Sequence, residues 1–207
     1  MDDLQHELDA VEKRTRRYWF QDGVVEMSSG AVFLVVAIYL LIQNAWRDTL
    51  PHTVFNIAFP VLIVVLVFAG RWMVRTVKDR YVHPRTGYVS FRRREGHRWA
   101  RGALAFVIAA LTTLVISRSP VLLNWIPALE GLVFAVAFFA LGRNVDILRF
   151  PVEGLLCALV GVALAVSRLQ EDVAAALLFA WLGVVLVAGG LGAFIGYTRQ
   201  LPPSEQE

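Results

Sequence analysis

Six apolar runs separated by short polar breaks constrain this chain more than any other feature. They cover residues 26–46, 54–74, 102–117, 121–141, 151–166 and 173–197. A helix needs roughly 20 mostly apolar residues to cross roughly 30 Å of hydrocarbon. The runs at 102–117 and 151–166 fall short of that; they can cross a thin bilayer, recruit flanking residues, or be covered by neighbouring helices. Every run is continuous, whereas strands of a membrane barrel alternate over about ten residues. The expected fold is an all-α membrane protein: a six-transmembrane-helix bundle with an N-terminal amphipathic helix and a small cytoplasmic β-hairpin between spans 2 and 3. The chain then divides into a helical N-tail (1–22), spans 1 and 2 (23–74), a basic hairpin loop (75–101), spans 3 to 6 (102–197) and a short tail (198–207).

Composition agrees with lipid as the solvent. The 207 residues are 57% hydrophobic and 18% charged, against about 45–50% and about 25% for soluble domains. The first 22 residues are polar, so no signal-peptide pattern precedes the first run, and neither end carries a lipidation motif. The single Cys157 rules out an internal disulfide and a cysteine zinc site; inside an apolar run it reads as a small buried hydrophobe.

Charge gives the orientation. Of 20 lysines and arginines, four lie in the N-tail, ten between Arg71 and Arg101, two at Arg143 and Arg149, and one at Arg199. The opposite breaks hold only Arg47, Arg118 and Arg168. Both termini and the long loop are therefore expected in the cytoplasm of a multi-pass protein of the cell membrane. This sidedness independently favours an even number of spans. Trp46, Trp72, Trp99 and Trp125 fall near predicted span ends, as interfacial anchors do, whereas Trp181 reads as packing within a span.

In the N-tail, Leu4, Leu8, Val11, Thr15 and Tyr18 recur at helical spacing, and acids precede bases as the macrodipole favours. Asp22-Gly23 breaks that helix. In the long loop, two β-prone runs, 81–83 and 88–91, flank Pro84-Arg85-Thr86-Gly87, which suits a tight turn and gives the expected hairpin. The Pro-Arg-Thr-Gly-Tyr-Val stretch, together with Asp22, Gly23 and Glu26 ahead of the first span, resembles a family of uncharacterised bacterial six-span membrane proteins. That resemblance implies the six-span inner-membrane fold and no chemistry.

Three acids sit at or inside predicted spans: Glu26, Glu130 and Glu153. Ionisable groups in lipid are costly and are functional candidates by default. Glu26 and Glu153 also fit first-turn acids at positive helix N-termini. Glu130 has two placements: near mid-depth if its helix begins at Pro120, or a first-turn acid if it begins near Pro127. A loose repeat relates residues 126–132 to 150–156 through Pro, Glu, Gly and Leu; inverted repeats occur in transporters, and chance in an apolar background accounts for so short a match. Gly189, Gly192 and Gly196 in the last span, with Gly154–Ala158 and Gly161–Ala165 in the fifth, mark helix contacts. Packing of spans five and six on each other explains them, with a homodimer as the alternative.

Arg92, Arg93 and Arg94, with Arg85 in the turn and Tyr88 in the second arm, are expected to form a surface for anionic lipid of the cytoplasmic leaflet or for a protein partner. RNA binding would need aromatic platforms on a folded module, so no nucleic acid is expected. His6, His52, His83 and His97 are scattered without ligand spacing, so no metal is expected. No cofactor signature and no catalytic acid–base set is present. The residues therefore point to a non-enzymatic scaffold, accessory subunit or regulator acting through the N-tail and hairpin. The alternative is a small transporter or permeation subunit using Glu130.

Overall fold

The computed structural model describes residues 17, 19–49, 51–82, 124–167 and 169–200. Within them are five long helices: α1, Val24–Trp46; α2, His52–Val77; α3, Ile126–Val145; α4, Arg149–Val166; and α5, Glu171–Gln200. All five are long and apolar enough to cross a membrane. Residues 19–21 are helical and precede the Asp22–Gly23 break. The expected third span at 102–117, most of the N-tail and the C-tail lie outside the described residues, so five of the six expected spans are on view.

Two expectations change at the helix ends. The first hairpin arm was expected from Tyr81, but α2 runs on into a π-helical turn, Lys78–Val82. Straight-chain residues such as Arg80 favour helix propagation, and Lys78 is held from the inside, as described below. The rest of the hairpin, with Arg85, Tyr88, Arg92, Arg93 and Arg94, lies outside the described residues, and no strand occurs among those described. The fourth span, expected over 121–141, begins at Ile126 with Pro127 in its first turn and runs to Val145. Proline there loses only an N–H that has no helical partner anyway. The helix stops at Asp146, whose φ of 58° is left-handed, with the Asp146 and Ile147 N–H groups both returning to the Gly142 carbonyl. This resembles the usual left-handed ending of a helix.

The helices associate as two antiparallel pairs with glycine seams, because close backbone approach replaces the hydrophobic effect between helices in lipid. In the α1–α5 pair, Gly23 meets the Gly190 backbone and Gly30 meets the backbone of Gly183 and Val187. In the α3–α4 pair, Gly131 meets the Cys157 carbonyl, Gly154 meets Ala135, and Gly161 meets the Pro127 carbonyl. Gly154 and Gly161 therefore face the expected fourth span rather than the sixth, whereas spans five and six still meet, through Glu153 against Gly189 and Cys157 beside Leu182 and Leu186. The repeated Pro, Glu and Gly positions of residues 126–132 and 150–156 belong partly to this seam, through Pro127, Gly131 and Gly154.

The two pairs meet around Cys157, Leu182 and Leu186, covered by Phe33, Phe134 and Phe138. Phe33, Phe134 and Phe179 close this core with ring centroids 5.4–5.9 Å apart. Helix α2 leans on α1 through Ser28 Oγ, which donates to the Gly70 carbonyl at 3.1 Å, and Tyr39 Oη, which donates to the Phe55 carbonyl at 2.8 Å. The outer faces carry exposed Ile57, Phe68, Trp72, Val133 and Leu155. Trp181, expected to pack, is itself 39% exposed. Contiguous apolar surface of this extent suits lipid, not water.

Candidate functional site

At one end of the bundle, five ionisable side chains from four segments converge on ground that is otherwise apolar. Gly23 makes the approach geometrically available: its φ of 70° turns the chain sharply, and a side chain there would strike the Gly190 backbone. The turn sends Asp22 inward, 1% exposed, where its Oδ1 accepts from the N–H of Val24, the first residue of α1, at 3.1 Å. Its other oxygen, Oδ2, lies 2.8 Å from Lys78 Nζ.

Lys78 is buried at the junction of α2 with the π-helical turn. Its ammonium donates to the Trp19 carbonyl at 2.7 Å and stands 3.9 Å from the centroid of the Trp19 ring. The one cation thus meets a carboxylate, a carbonyl and an aromatic face, which together replace much of the hydration it lost. A widened π turn rotates the residues that follow it, and such turns commonly aim a side chain where a regular helix would not.

A second pair stands beside the first. Arg149, the first residue of α4, directs Nε and Nη2 to Glu26 Oε1 at 2.8 and 2.7 Å, and Nη2 also donates to the Phe20 carbonyl. Its guanidinium lies 5.5 Å from the ring of Phe150, which is edge-on to Phe20 at 5.8 Å. At the rim, Arg17 reaches Asp146 at 4.0 Å between exposed side chains, a contact of little energetic weight. Residues 17 and 19–23, the end of α2, the α3–α4 turn and the start of α4 are thereby fastened at a single end.

The fifth group is Glu153, 4% exposed, with both carboxyl oxygens lacking a hydrogen-bond partner among the described residues. Its electrostatic neighbours are Glu26 and Arg149. Across the interface Glu153 Oε1 abuts Gly189 of α5 in the space a side chain would otherwise take. Glu26 Oε2 is likewise buried without a hydrogen bond. The cluster therefore contains three acids, Asp22, Glu26 and Glu153, and two bases, Lys78 and Arg149.

The candidates from the sequence separate clearly. Glu26 and Glu153 come together here. Glu26 lies in the first turn of α1, but Glu153 is the fifth residue of α4, because that helix starts at Arg149. The macrodipole acts within the first turn, so it does not account for Glu153. Glu130 is the fifth residue of α3, toward the opposite end of the bundle rather than at mid-depth, and its Oε2 is buried without a hydrogen bond among the described residues. Gly189 faces Glu153, whereas Gly192 and Gly196 meet no heavy atom of the described residues within 4 Å of where a Cβ would stand.

Sequence reasoning missed Lys78 and Arg149, which it counted as topology charges, and read Asp22 as a helix break and part of the motif ahead of the first span, not as an ion-pair partner. One signal was available: Arg149 precedes Glu153 by four residues, and Asp22 precedes Glu26 by four. Among the described residues, no group of three or more histidine, cysteine, aspartate or glutamate side chains is placed to hold a metal ion. No protein-family model, curated protein or solved structure matches the chain.

Proposed function

We propose that this chain is a non-enzymatic scaffold, accessory subunit or regulator of the cytoplasmic membrane, with both termini inside the cell. Its working surface is the N-tail together with the basic loop that follows α2. The observation carrying this reading is a double clasp at the root of the N-tail: Asp22–Lys78 ties it to the root of the basic loop, and Glu26–Arg149, with Arg149 also on the Phe20 carbonyl, ties it to the start of α4. Buried ion pairs add little net stability but define one arrangement where several would pack equally well. Rigid roots at one end suit a platform on which polar segments present themselves to a protein partner beside an anionic leaflet.

Deleting residues 83–92, which spares Lys78 and the π-helical turn, tests this directly. Membrane insertion should persist while a partner that cross-links to the intact protein is lost. If no partner cross-links to the intact protein, or if the deletion leaves the partner in place, the reading fails.

The buried Oε2 of Glu130, without a hydrogen bond among the described residues, favours a second reading, a small proton- or cation-conducting subunit. Liposome flux should then fall in Glu130→Gln; equal flux from both proteins excludes it.

A further inference from the structure

We infer that Glu153 is a proton-binding site that controls whether Arg149 clasps the root of the N-tail. Among the described residues, two bases match two of the three buried acids, and the pairs already formed, Asp22–Lys78 and Glu26–Arg149, leave Glu153 as the excess group. Its carboxyl oxygens have no hydrogen-bond donor among the described residues, and the nearby Arg149 is already spent on Glu26; an ionised carboxylate in that position is costly to bury. The ligand that removes this cost with the least space is a proton. A metal cation would need several oxygen ligands around it, whereas Oε1 is packed directly against Gly189.

The groups facing Glu153 define what the proton does. Helix α1 contributes Glu26, and α4 itself contributes Arg149 and, one turn on, Cys157. Helix α5 contributes the Gly189 backbone. Helix α3 packs on the adjacent Gly154 through Ala135 and Phe138 and brings no titratable group to this level. Lys78 and Asp22 are committed to each other.

Arg149 and Glu153 are four residues apart on one helix, the spacing at which opposite charges meet. With the proton bound, Arg149 is free to hold Glu26 and the Phe20 carbonyl. When the proton leaves for bulk water, Glu153 becomes a second carboxylate competing for the same guanidinium. Arg149 then swings toward its own helix, and residues 19–23 loosen from α4. The site would thus couple pH to the position of the N-tail, whichever partner that tail meets.

The test is infrared spectroscopy of the full chain in proteoliposomes, reading the C=O stretch of protonated carboxyl groups across pH. The wild type should show a band that fades as pH rises. Glu153→Gln should lose that band, and Glu130→Gln should keep it. Amide exchange at residues 20–26 should accelerate several-fold with rising pH in the wild type and stay flat in Glu153→Gln. A band set unchanged by Glu153→Gln overturns the inference. So does a Glu153→Gln protein that fails to fold, because glutamine is the near-isosteric neutral form that the site is argued to hold.

Discussion

Lys78 carries its charge at 3% side-chain exposure and is satisfied by Asp22 and the Trp19 carbonyl. Removing one member of such a pair strands the other, which typically costs about 3–5 kcal/mol, whereas replacing both with apolar groups is often close to neutral. Lys78→Met alone should therefore destabilise the protein by about that amount. The double variant Asp22→Leu with Lys78→Met should recover most of the loss, as read by denaturant titration in mixed micelles. Gly23 makes a different demand. A non-glycine residue in the left-handed region costs about 1–2 kcal/mol, and at this position its Cβ would also meet the Gly190 backbone. Gly23→Ala should therefore cost more than the conformational term alone, visible as a lowered midpoint in the same titration.

At the level of helices, identical residues have opposite consequences according to the face they occupy. Gly190 lies in the α1–α5 seam, whereas Gly192 and Gly196, on the same helix, meet none of the described residues. Gly190→Ala should loosen the pair and lower the unfolding midpoint. Gly192→Ala should change stability by less than about 0.5 kcal/mol, the range of substitutions that touch nothing, and the same micellar titration separates the two. This contrast also shows what the sequence could disclose. Runs of apolar residues located the described spans to within a few residues, since hydrocarbon length is a local requirement. A small-residue motif says that a helix can be approached closely, not by which neighbour, so Gly154 and Gly161 were legible as contacts while their partner, α3, was not. Glu26 and Glu153 stood out because acid in an apolar run is costly at any depth. Arg149 did not, because an arginine at a span boundary has an ordinary topological explanation, and its pairing with Glu26 depends on residues 123 apart in the chain.

For the molecule as a whole, the clasp and the charge bias make the same demand. Residues 17 and 19–22, the end of α2, the α3–α4 turn and the far end of α5 gather at one end. The α1–α2 turn and the α4–α5 turn lie at the opposite helix ends, sparing in basic residues. If lipid is the solvent, the first group shares one face of the membrane and the second shares the other. Cysteine accessibility in intact cells and in inverted vesicles reads this most directly. With Cys157→Ala as background, single substitutions Arg17→Cys, Arg80→Cys and Asn144→Cys sample the clasp end; Asp48→Cys and Leu169→Cys sample the other. An impermeant thiol reagent should label the first three only in inverted vesicles and the last two only in intact cells. Labelling of Arg17→Cys and Arg80→Cys from opposite faces, or release of the protein from membranes by a salt wash, would contradict the account.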